Sequence, residues 1–445
     1  MLEVLNTLLW GPGTLALILG TGAWLTLRTG GFPQRNLGRA LALSLGREAR
    51  RKGRGGVSPF GSLMTALAST VGTGNIVGVA AALVSGGPGA LVWMELAALL
   101  GLAAKFAECM LAVKYHRVRQ DGTRWGGPMA VMETRLGPTG AVLGRFYALF
   151  ALLMAFAMGA MAQSGALADT FSAAFAHPRW RVGLVTAALT LAILLGGIRR
   201  IAEISTVLVP VMALLYLGGG LAVILGNLRR LPEALILMLR CAVAPEAALG
   251  GALGTVTRRS AIRWGVARSV FSNEAGLGSA AITAACADTE DPVKQGLISM
   301  TGVFFDTMVI CTVTGLAICC SGTLGAADGN GLPLTGAALT LRAFETVLGP
   351  LAPWLIGAAL GLFAFTSVLG CAVQAEATAS YLLGPEAVRP CRVLYGLAVF
   401  AGAVIPMATV LQLADLANAL MAFPNLICLL LLSGEIAGEC GRKER

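Results

Sequence analysis

The sequence is poor in charged residues. Asp, Glu, Lys and Arg make up 13% of the 445 residues, hydrophobic residues make up 56%, and the mean hydropathy is +0.77. A soluble globular chain carries about 25% charged residues, so this composition excludes a soluble domain. Long apolar runs are typical of transmembrane helices, not of the short alternating strands of an outer-membrane barrel. The sequence therefore predicts an all-α polytopic membrane protein.

The sequence also lacks the residue patterns of metal sites and hydrolytic enzymes. Its two histidines, His116 and His177, lie far apart, and its ten cysteines mostly fall in or beside apolar runs without paired CxxC motifs. Neither a zinc site nor a disulfide framework is indicated. There is no HExxH motif, no Ser/His/Asp set and no pair of aspartates in suitable spans. An intramembrane enzyme is therefore the weakest hypothesis.

Positive charge is concentrated in short segments beside apolar runs. The net charge is +10, and eight basic residues follow the first span, about Leu8–Leu27. Such segments are typical of cytoplasmic loops rather than nucleic-acid patches. We expect residues 36–45 to form an amphipathic helix on the lipid surface, with the N-terminus outside and the C-terminus inside. The eight basic residues are Arg28, Arg35, Arg39, Arg47, Arg50, Arg51, Lys52 and Arg54.

One apolar run, residues 60–84, is interrupted by Thr70-Val71-Gly72-Thr73-Gly74-Asn75. Gly costs about 1 kcal/mol against Ala inside a helix, and Thr and Asn compete for backbone hydrogen bonds. In hydrocarbon, unwound backbone is tolerated only where protein buries it or where it lines a polar cavity. The pattern predicts a membrane helix broken at mid-depth, as in many secondary transporters. The alternative is a glycine kink that serves helix packing.

A second interrupted run, about Trp264–Ala285, contains Phe271-Ser272-Asn273-Glu274-Ala275-Gly276-Leu277-Gly278. Each interrupted helix opens a set of five spans, and the two sets cross the membrane in opposite directions. This is an inverted repeat, which favours ligand binding over a kink. With the leading helix, we expect about eleven spans. The resulting division is 1–56 for the leading helix and the basic amphipathic helix, 57–226 and 263–432 for the two five-helix repeats, 227–262 for an external connecting segment, and 433–445 for a cytoplasmic basic tail.

The two breaks predict complementary binding groups. Free N–H groups at the start of a second half-helix carry partial positive charge and suit a carboxylate. Unwound carbonyl and hydroxyl oxygens suit an ammonium group or a dehydrated Na⁺. We expect the first break to meet a substrate carboxylate, the second to accept from its amine, and Phe271 to form a lid or wall. The candidate substrate residues are Thr70, Gly72, Thr73, Gly74, Asn75, Phe271, Ser272, Asn273, Ala275 and Gly276.

Adjacent hydroxyls at Thr366 and Ser367 interrupt the eighth of the ten spans that make up the two repeats, which is otherwise apolar. Facing the unwound carbonyls from Ser69 to Gly72, they complete an oxygen-only sodium site. The alternative is that each hydroxyl bonds to the carbonyl four residues earlier in its own helix.

Ionisable residues inside the bilayer are candidates for function. Lys105 and Glu108 have the spacing of an ion pair on one helix face. Glu274, inside the second break, either holds that break open or accepts a proton, and for a neutral substrate we favour the structural role. The full set is Glu95, Lys105, Glu108, Glu274, Asp306, Glu376 and Asp415.

Both breaks resemble signatures of the alanine/glycine:cation symporter family (sodium:alanine symporters), and the similarity covers essentially the whole chain. The resemblance implies the leucine-transporter fold and Na⁺-coupled, sometimes H⁺-coupled, uptake of alanine or glycine. The family's hydroxyl pair for sodium falls on Thr366-Ser367 with the order swapped. The matching segments are Ala68–Ile76, Gly86–Ala90, Phe271–Ala280, Pro292–Leu297 and Gly302–Thr307.

The chain departs from the family pattern at two places near the expected pathway. An aromatic-rich run of the family is replaced by Gly370-Cys371-Ala372-Val373-Gln374-Ala375-Glu376, with only the glutamate retained. In the third of these ten spans, the usual Gln-x-Asn appears as Gln163-Ser164-Gly165. Loss of bulk and of an amide bears on the choice of substrate. Gln163, Glu274 and Glu376 are therefore structural or coupling candidates.

The leading interpretation is a Na⁺-coupled symporter of a small neutral amino acid in the cytoplasmic membrane of a bacterium. A larger neutral amino acid such as glutamine, or coupling to H⁺, is the second. A channel or a transport-fold sensor is the third, and the paired breaks argue against a simple pore. Stereochemistry, stoichiometry and oligomeric state are left open by the sequence.

Overall fold

The structure is a computed structural model that describes residues 6, 9–51, 56–118, 122–175, 177–244, 256–327 and 331–444. Four basic residues expected on the cytoplasmic side lie outside the described residues, as does part of the connecting segment 227–262. These four are Lys52, Arg54, Arg119 and Arg445.

The described chain is built from helices joined by short connections. Two two-residue strands, β1 (Arg117–Val118) and β2 (Arg124–Trp125), pair antiparallel. The helices of the first half are α1 Pro12–Arg28, α2 Phe32–Arg35, α3 Leu37–Leu45, α4 Pro59–Thr70, α5 Val77–Gly86, α6 Gly89–Lys114, α7 Pro128–Met154, α8 Gln163–Phe175, α9 Arg179–Leu194, α10 Gly197–Gly226 and α11 Leu231–Val243. Those of the second half are α12 Arg258–Asn273, α13 Ser279–Ala285, α14 Pro292–Val303, α15 Thr312–Ser321, α16 Gly336–Leu348, α17 Ala352–Leu383, α18 Val388–Val404, α19 Met407–Leu431 and α20 Ser433–Glu444.

Two stretches of π-helix continue neighbouring α-helices. Residues Ala155–Ala162 join α7 to α8, and Phe304–Cys311 join α14 to α15. Such wide turns often occur at functional sites. Gln163 immediately follows the first stretch, and Asp306 lies within the second. Both side chains lie beside the helix breaks described below.

Seven helical segments among the described residues are long and apolar enough to cross a membrane, or eight if one bent pair counts as a single span. The bent pair is α4 with the segment Thr73–Gly86. Helices α1, α9, α12 and α13 each have fewer than 18 residues and are not counted in this way, and the five residues between α12 and α13 keep these two from being counted as a bent pair. The protein is thus a helical membrane protein, whereas the expected eleven spans and the two repeats stay predictions.

The first break lies where the sequence predicts it. Helix α4 starts with Ser58 as N-cap, whose side chain accepts from the Gly61 N–H. It ends at Thr70, Gly72 is extended, and a single turn of 3-10 helix, Thr73–Asn75, leads into α5. The two halves are bent by 63°.

The second break separates α12 from α13. Glu274 at the end of α12 has φ 53°, and Gly276 and Gly278 have φ values of 87° and 80°. Glycine adopts this left-handed conformation without the steric cost of a Cβ. Glu274 is the one non-glycine residue with positive φ among the described residues. The Glu274–Gly278 segment therefore turns sharply, although it lies inside an otherwise apolar run.

Close approaches at glycine hold the helices around the first break. A Cβ on Gly370 of α17 would lie 2.4 Å from the backbone nitrogen of Ser69 on α4. A Cβ on Gly89, at the start of α6, would lie 2.3 Å from the backbone of Cys241 on α11. Such contacts are typical of membrane helices that pack through small residues. The α4–α17 contact places α17 directly against the end of α4.

Helix α6 crosses the molecule from the face that carries Gly86 to the face that carries Lys114, here called the Gly86 face and the Lys114 face. At the Gly86 face, Gly86 packs against Trp264 of α12. At the Lys114 face, the Lys114 ammonium group pairs with Glu435 and Glu439 of α20 at 2.6 and 2.8 Å. Both breaks lie between these two faces.

We predict that Gly89→Ala destabilises the protein by about 1–3 kcal/mol, because the added methyl group has no room against the α11 backbone. The measurement is the midpoint of thermal unfolding in detergent. Gly218→Ala is the matched control, since a Cβ there meets no atom within 4 Å. Equal midpoints for the two variants would contradict the α6–α11 packing.

Candidate functional site

The first break leaves part of its backbone accessible at Thr73 and Gly74. The Gly72 N–H donates to the Asn75 Oδ1 at 3.1 Å, and the Asn75 N–H donates back to the Gly72 carbonyl at 3.3 Å. Thr73 and Gly74 are half-buried, and a Cβ on Gly74 would meet no atom within 4 Å. The first N–H groups of α5 have no partner within the helix and carry its positive dipole end. This side of the break suits an anionic group.

Asn75 joins the first break to the second. Its side-chain nitrogen donates to the Ser272 hydroxyl at 3.0 Å and to the Asp306 Oδ1 at 2.8 Å. Ser272 donates to the Asp306 Oδ2 at 2.5 Å. All three side chains are buried. The sequence predicted Asn75 and Ser272 as site residues, and the structure brings them together.

Asp306 is the residue that the predicted binding set missed. Its Oδ2 also accepts from the Thr307 hydroxyl at 3.0 Å, and that hydroxyl accepts from the Asn273 side chain at 3.1 Å. The carboxylate thus supports the end of α12 both directly and through Thr307. The available signal was an isolated aspartate within an apolar span. We call Asn75, Ser272 and Asp306 the break-joining triad.

Asn273 caps the second break. Its Oδ1 accepts from the Ala275 N–H at 2.9 Å, and its side-chain nitrogen also donates to the Ser269 hydroxyl at 3.2 Å. The carboxylate of Glu274 accepts from the Ser279 hydroxyl, across the turn. These bonds within the turn fit the structural role favoured for Glu274.

Gly276 faces away from the triad, toward α6 and α19. Its N–H donates to the Glu108 Oε2 at 3.2 Å, and its carbonyl accepts from the Asn425 side chain at 2.9 Å. The Lys105 ammonium group donates to the Glu274 carbonyl at 3.2 Å and lies 3.4 Å from the Glu108 Oε1. The predicted pairing of Lys105 with Glu108 is confirmed. Protein side chains therefore satisfy the Gly276 backbone that the sequence assigned to substrate.

The residues predicted to bind sodium lie where α4 meets α17, and their hydroxyls differ in their hydrogen-bond partners. The Ser367 hydroxyl donates to the unwound Val71 carbonyl at 3.5 Å, and a Cβ on Gly72 would lie 2.9 Å from that hydroxyl. The Thr366 hydroxyl instead donates to the Leu362 carbonyl of its own helix at 2.9 Å. The Ser69 hydroxyl likewise donates to its own helix, at Ala66.

Gln163 lies at the edge of the first break. Its Oε1 accepts from the Thr73 hydroxyl at 3.4 Å, and it would lie 3.5 Å from a Cβ on Gly72. Thr70 turns back to its own helix and donates to the Ala66 carbonyl at 3.2 Å. Thr73, Gln163 and the Gly72 backbone therefore lie together at one side of the first break.

Two predicted residues lie apart from the triad. The Phe271 ring faces Trp10 at a centroid distance of 5.9 Å and lines a cavity of about 270 Å³ at the Gly86 face. Glu376 forms a two-bond ion pair with Arg392 of α18, at 2.8 and 2.9 Å. Glu376 therefore links α17 to α18 and does not contact either break.

Comparison with known proteins gives a family for this arrangement. The sequence matches the sodium:alanine symporter family over residues 1–441. It is 44% identical to an uncharacterized transporter of Haemophilus influenzae, covering 99% of this chain and 94% of that protein. It is 42% identical to the sodium/alanine symporter AgcS of Methanococcus maripaludis, covering 99% and 96%. It is 36% identical to the probable sodium/glutamine symporter GlnT of Bacillus subtilis, covering 97% and 87%.

These similarities extend over nearly the full length of each protein and include both broken segments. The family is one of transporters and not of enzymes. The chain therefore belongs to the sodium:alanine symporter family.

Proposed function

We propose that the protein carries out Na⁺-coupled symport of a small neutral amino acid, alanine or glycine, by alternating access. The observation that carries this proposal is the pair of broken helices joined by the break-joining triad, with the Thr73–Gly74 backbone half-buried and a Cβ on Gly74 free of any contact within 4 Å. Membership of the family and the similarity to AgcS support coupling to Na⁺.

The substrate zwitterion binds between the two breaks. Its carboxylate lies at the N–H groups of Thr73, Gly74 and the start of α5, where the helix dipole is positive. Its ammonium group lies at the last carbonyls of α12, Phe271–Asn273, which have no partner within that helix. Because the triad fixes the two ends relative to each other, the spacing of the two charges is fixed as well.

The sodium ion binds between α4 and α17, at the Val71 and Gly72 backbone and the hydroxyls of Ser69, Thr366 and Ser367. The Val71 carbonyl and the Ser367 hydroxyl lie 3.5 Å apart. Oxygen ligands of Ca²⁺, a hard cation of similar size, lie at about 2.3–2.6 Å, so two at right angles are about 3.3–3.7 Å apart. The back-bonded hydroxyls of Ser69 and Thr366 keep oxygen lone pairs for the ion.

Alternating access follows from the position of that ion. Sodium between a moving bundle and α17 favours the state open to the Gly86 face, and bound substrate then permits closure. In this proposal the repeats 57–226 and 263–432 supply the bundle and the scaffold. The basic residues near the Lys114 face make that face cytoplasmic, which places the N-terminus outside and the C-terminus inside.

Glutamine is the second candidate substrate, on a specific observation. Both side-chain polar atoms of the buried Gln374 have no hydrogen-bond partner among the residues that the structure describes. At helical spacing, Gln374 lies on the same face of α17 as Gly370 and Ser367. A glutamine side chain offers the matching donor and acceptor. The similarity to GlnT supports the same alternative.

Uptake into proteoliposomes tests the proposed function. We predict saturable accumulation of labelled alanine or glycine driven by an inward Na⁺ gradient, and loss of accumulation when K⁺ replaces Na⁺. Glutamine accumulation alone would favour the second candidate, and uptake driven only by a pH gradient would replace Na⁺ with H⁺. Unsaturable flux would contradict symport and favour a channel. If none of alanine, glycine and glutamine accumulated, the proposed substrate class would be contradicted.

Substitution of the α17 hydroxyls tests the sodium site. We predict that Ser367→Ala raises the Na⁺ concentration for half-maximal uptake about tenfold, equivalent to about 1.4 kcal/mol, and that Thr366→Val raises it less. The control is Thr378→Val, which removes a hydroxyl bonded to its own helix at Gln374. An unchanged Na⁺ dependence in Ser367→Ala would place the ion elsewhere.

A further inference from the structure

A groove of about 700 Å³ lies between α8, α9 and α17. This volume falls within the roughly 300–1,000 Å³ of ligand pockets in proteins. Val185 and Leu189 of α9 line the groove and are 58% and 52% exposed. In a helical membrane protein, exposed apolar side chains of this kind lie against lipid tails, which are as apolar as leucine. The groove therefore opens toward the hydrocarbon of the membrane.

The groove lies in the half of the molecule nearer the Gly86 face. Glu376, close to the end of α17, lines another cavity together with Arg124, which is near Lys114 in the chain. That end of α17 is therefore at the Lys114 face. Ser367, which comes earlier in α17, reaches the first break. The α17 residues of the groove fall within 358–365 and precede Ser367, so they lie between the first break and the Gly86 face.

Below its mouth, the groove offers a ligand no free side-chain hydrogen-bond donor among the residues that the structure describes. Thr186 is the one residue there with a hydroxyl, and that hydroxyl donates to the Val182 carbonyl of its own helix at 2.8 Å. A buried water molecule needs about two to four polar partners, so the groove holds water poorly. An acyl chain meets the same apolar surroundings in the groove as among other lipids, and it therefore fills the groove without cost.

A positive charge lies at the mouth of the groove. The Arg181 guanidinium carbon lies 5.3 Å from the centroid of the Trp180 ring, and Arg181 forms no ion pair or hydrogen bond within the described part of the chain. The neighbouring Arg179 is paired with Asp169, at 3.4 Å. His177 also lines the groove and has a partner of its own. The Arg181 guanidinium is therefore the unpaired charge that a ligand meets.

Arg181 lies at the depth of a lipid headgroup. The adjacent Trp180 is 49% exposed, and exposed tryptophan is enriched at the membrane–water interface. From Arg181 to Leu189, α9 rises by about 12 Å at about 1.5 Å per residue. One leaflet of hydrocarbon is about 15 Å thick, half of the roughly 30 Å core. An acyl chain that starts at Arg181 therefore runs through most of its leaflet inside the groove.

We propose that the groove binds one anionic phospholipid from the leaflet at the Gly86 face. The lipid phosphate binds Arg181, since a guanidinium group binds phosphate through two parallel hydrogen bonds. One acyl chain lies between α9 and α17, over the Phe171 ring, which is so close to α17 that a Cβ on Gly361 would lie 3.2 Å from it. The chain ends beside Phe365, two residues before Ser367, which contacts the first break. This inference does not depend on which substrate is transported.

Native mass spectrometry of the full-length protein in detergent, titrated with single lipids, tests the headgroup contact. We predict one site of highest affinity per chain, which binds phosphatidylglycerol about fivefold more tightly than phosphatidylcholine, the factor expected for one basic residue. Arg181→Gln abolishes this preference. The matched control is Arg229→Gln, which removes an exposed arginine outside the groove and keeps the preference.

Filling the groove tests the position of the acyl chain. We predict that Ala358→Trp, at an exposed alanine that lines the groove, lowers the affinity for both lipids about tenfold, because the indole displaces about two methylene groups of the chain. Ala188→Trp makes the same change at an exposed alanine of α9 outside the groove and leaves both affinities unchanged. Wild-type midpoints of thermal unfolding without added lipid show that both variants are folded.

Three results would overturn the proposal. Equal affinities of the wild type for the two lipids would show that the site does not select an anionic headgroup. Unchanged lipid affinity in Ala358→Trp would show that the lipid binds outside the groove. Glycerol 3-phosphate, which carries the phosphate without an acyl chain, is predicted not to displace phosphatidylglycerol, and displacement would show a site for the headgroup alone.

Discussion

The structure depends on one constraint, the need to satisfy unwound backbone inside a bilayer. Two of its apolar runs are interrupted by unwound segments, Val71–Ile76 and Glu274–Gly278. The first break is held by the Asn75 amide, which caps the Gly72 N–H and reaches Asp306. The second is held by Glu108 and Asn425, which bind the Gly276 backbone. Without these groups the glycines would have no stable unwound conformation.

The two breaks meet that constraint in different ways. At the second break, side chains of the protein bind both the N–H and the carbonyl group of Gly276. At Thr73 and Gly74 the backbone is left open, and Gln163 is at its edge. The turn at Gly276 is therefore held by the protein, whereas the backbone at Thr73 and Gly74 and the last carbonyls of α12 are left for a ligand. The break-joining triad connects them, because Asn75 of the first break and Ser272 at the end of α12 both bind Asp306.

The glycine and amide pattern was sufficient to predict both breaks, because those residues are unfavourable in any helix. It also placed Asn75 and Ser272 in one predicted binding set, and the structure brings these two side chains into contact. It did not predict the central position of Asp306 or the orientation of Gly276, since both depend on which helices pack together. The rotation of α17 about its axis decides which of the two adjacent hydroxyls faces the first break. The Thr366 hydroxyl bonds to Leu362 of its own helix, whereas the Ser367 hydroxyl reaches the first break.

Hydrogen–deuterium exchange of Asp306→Ala tests the central claim most directly. The account predicts faster exchange in both Val71–Ile76 and Glu274–Gly278, although Asp306 belongs to neither segment, because it holds Asn75 on one side and Ser272 on the other. Glu95→Gln, whose carboxylate accepts from Thr312, is the control and leaves both segments unchanged. Faster exchange confined to the helix that carries Asp306 would contradict the claim that this carboxylate joins the two breaks.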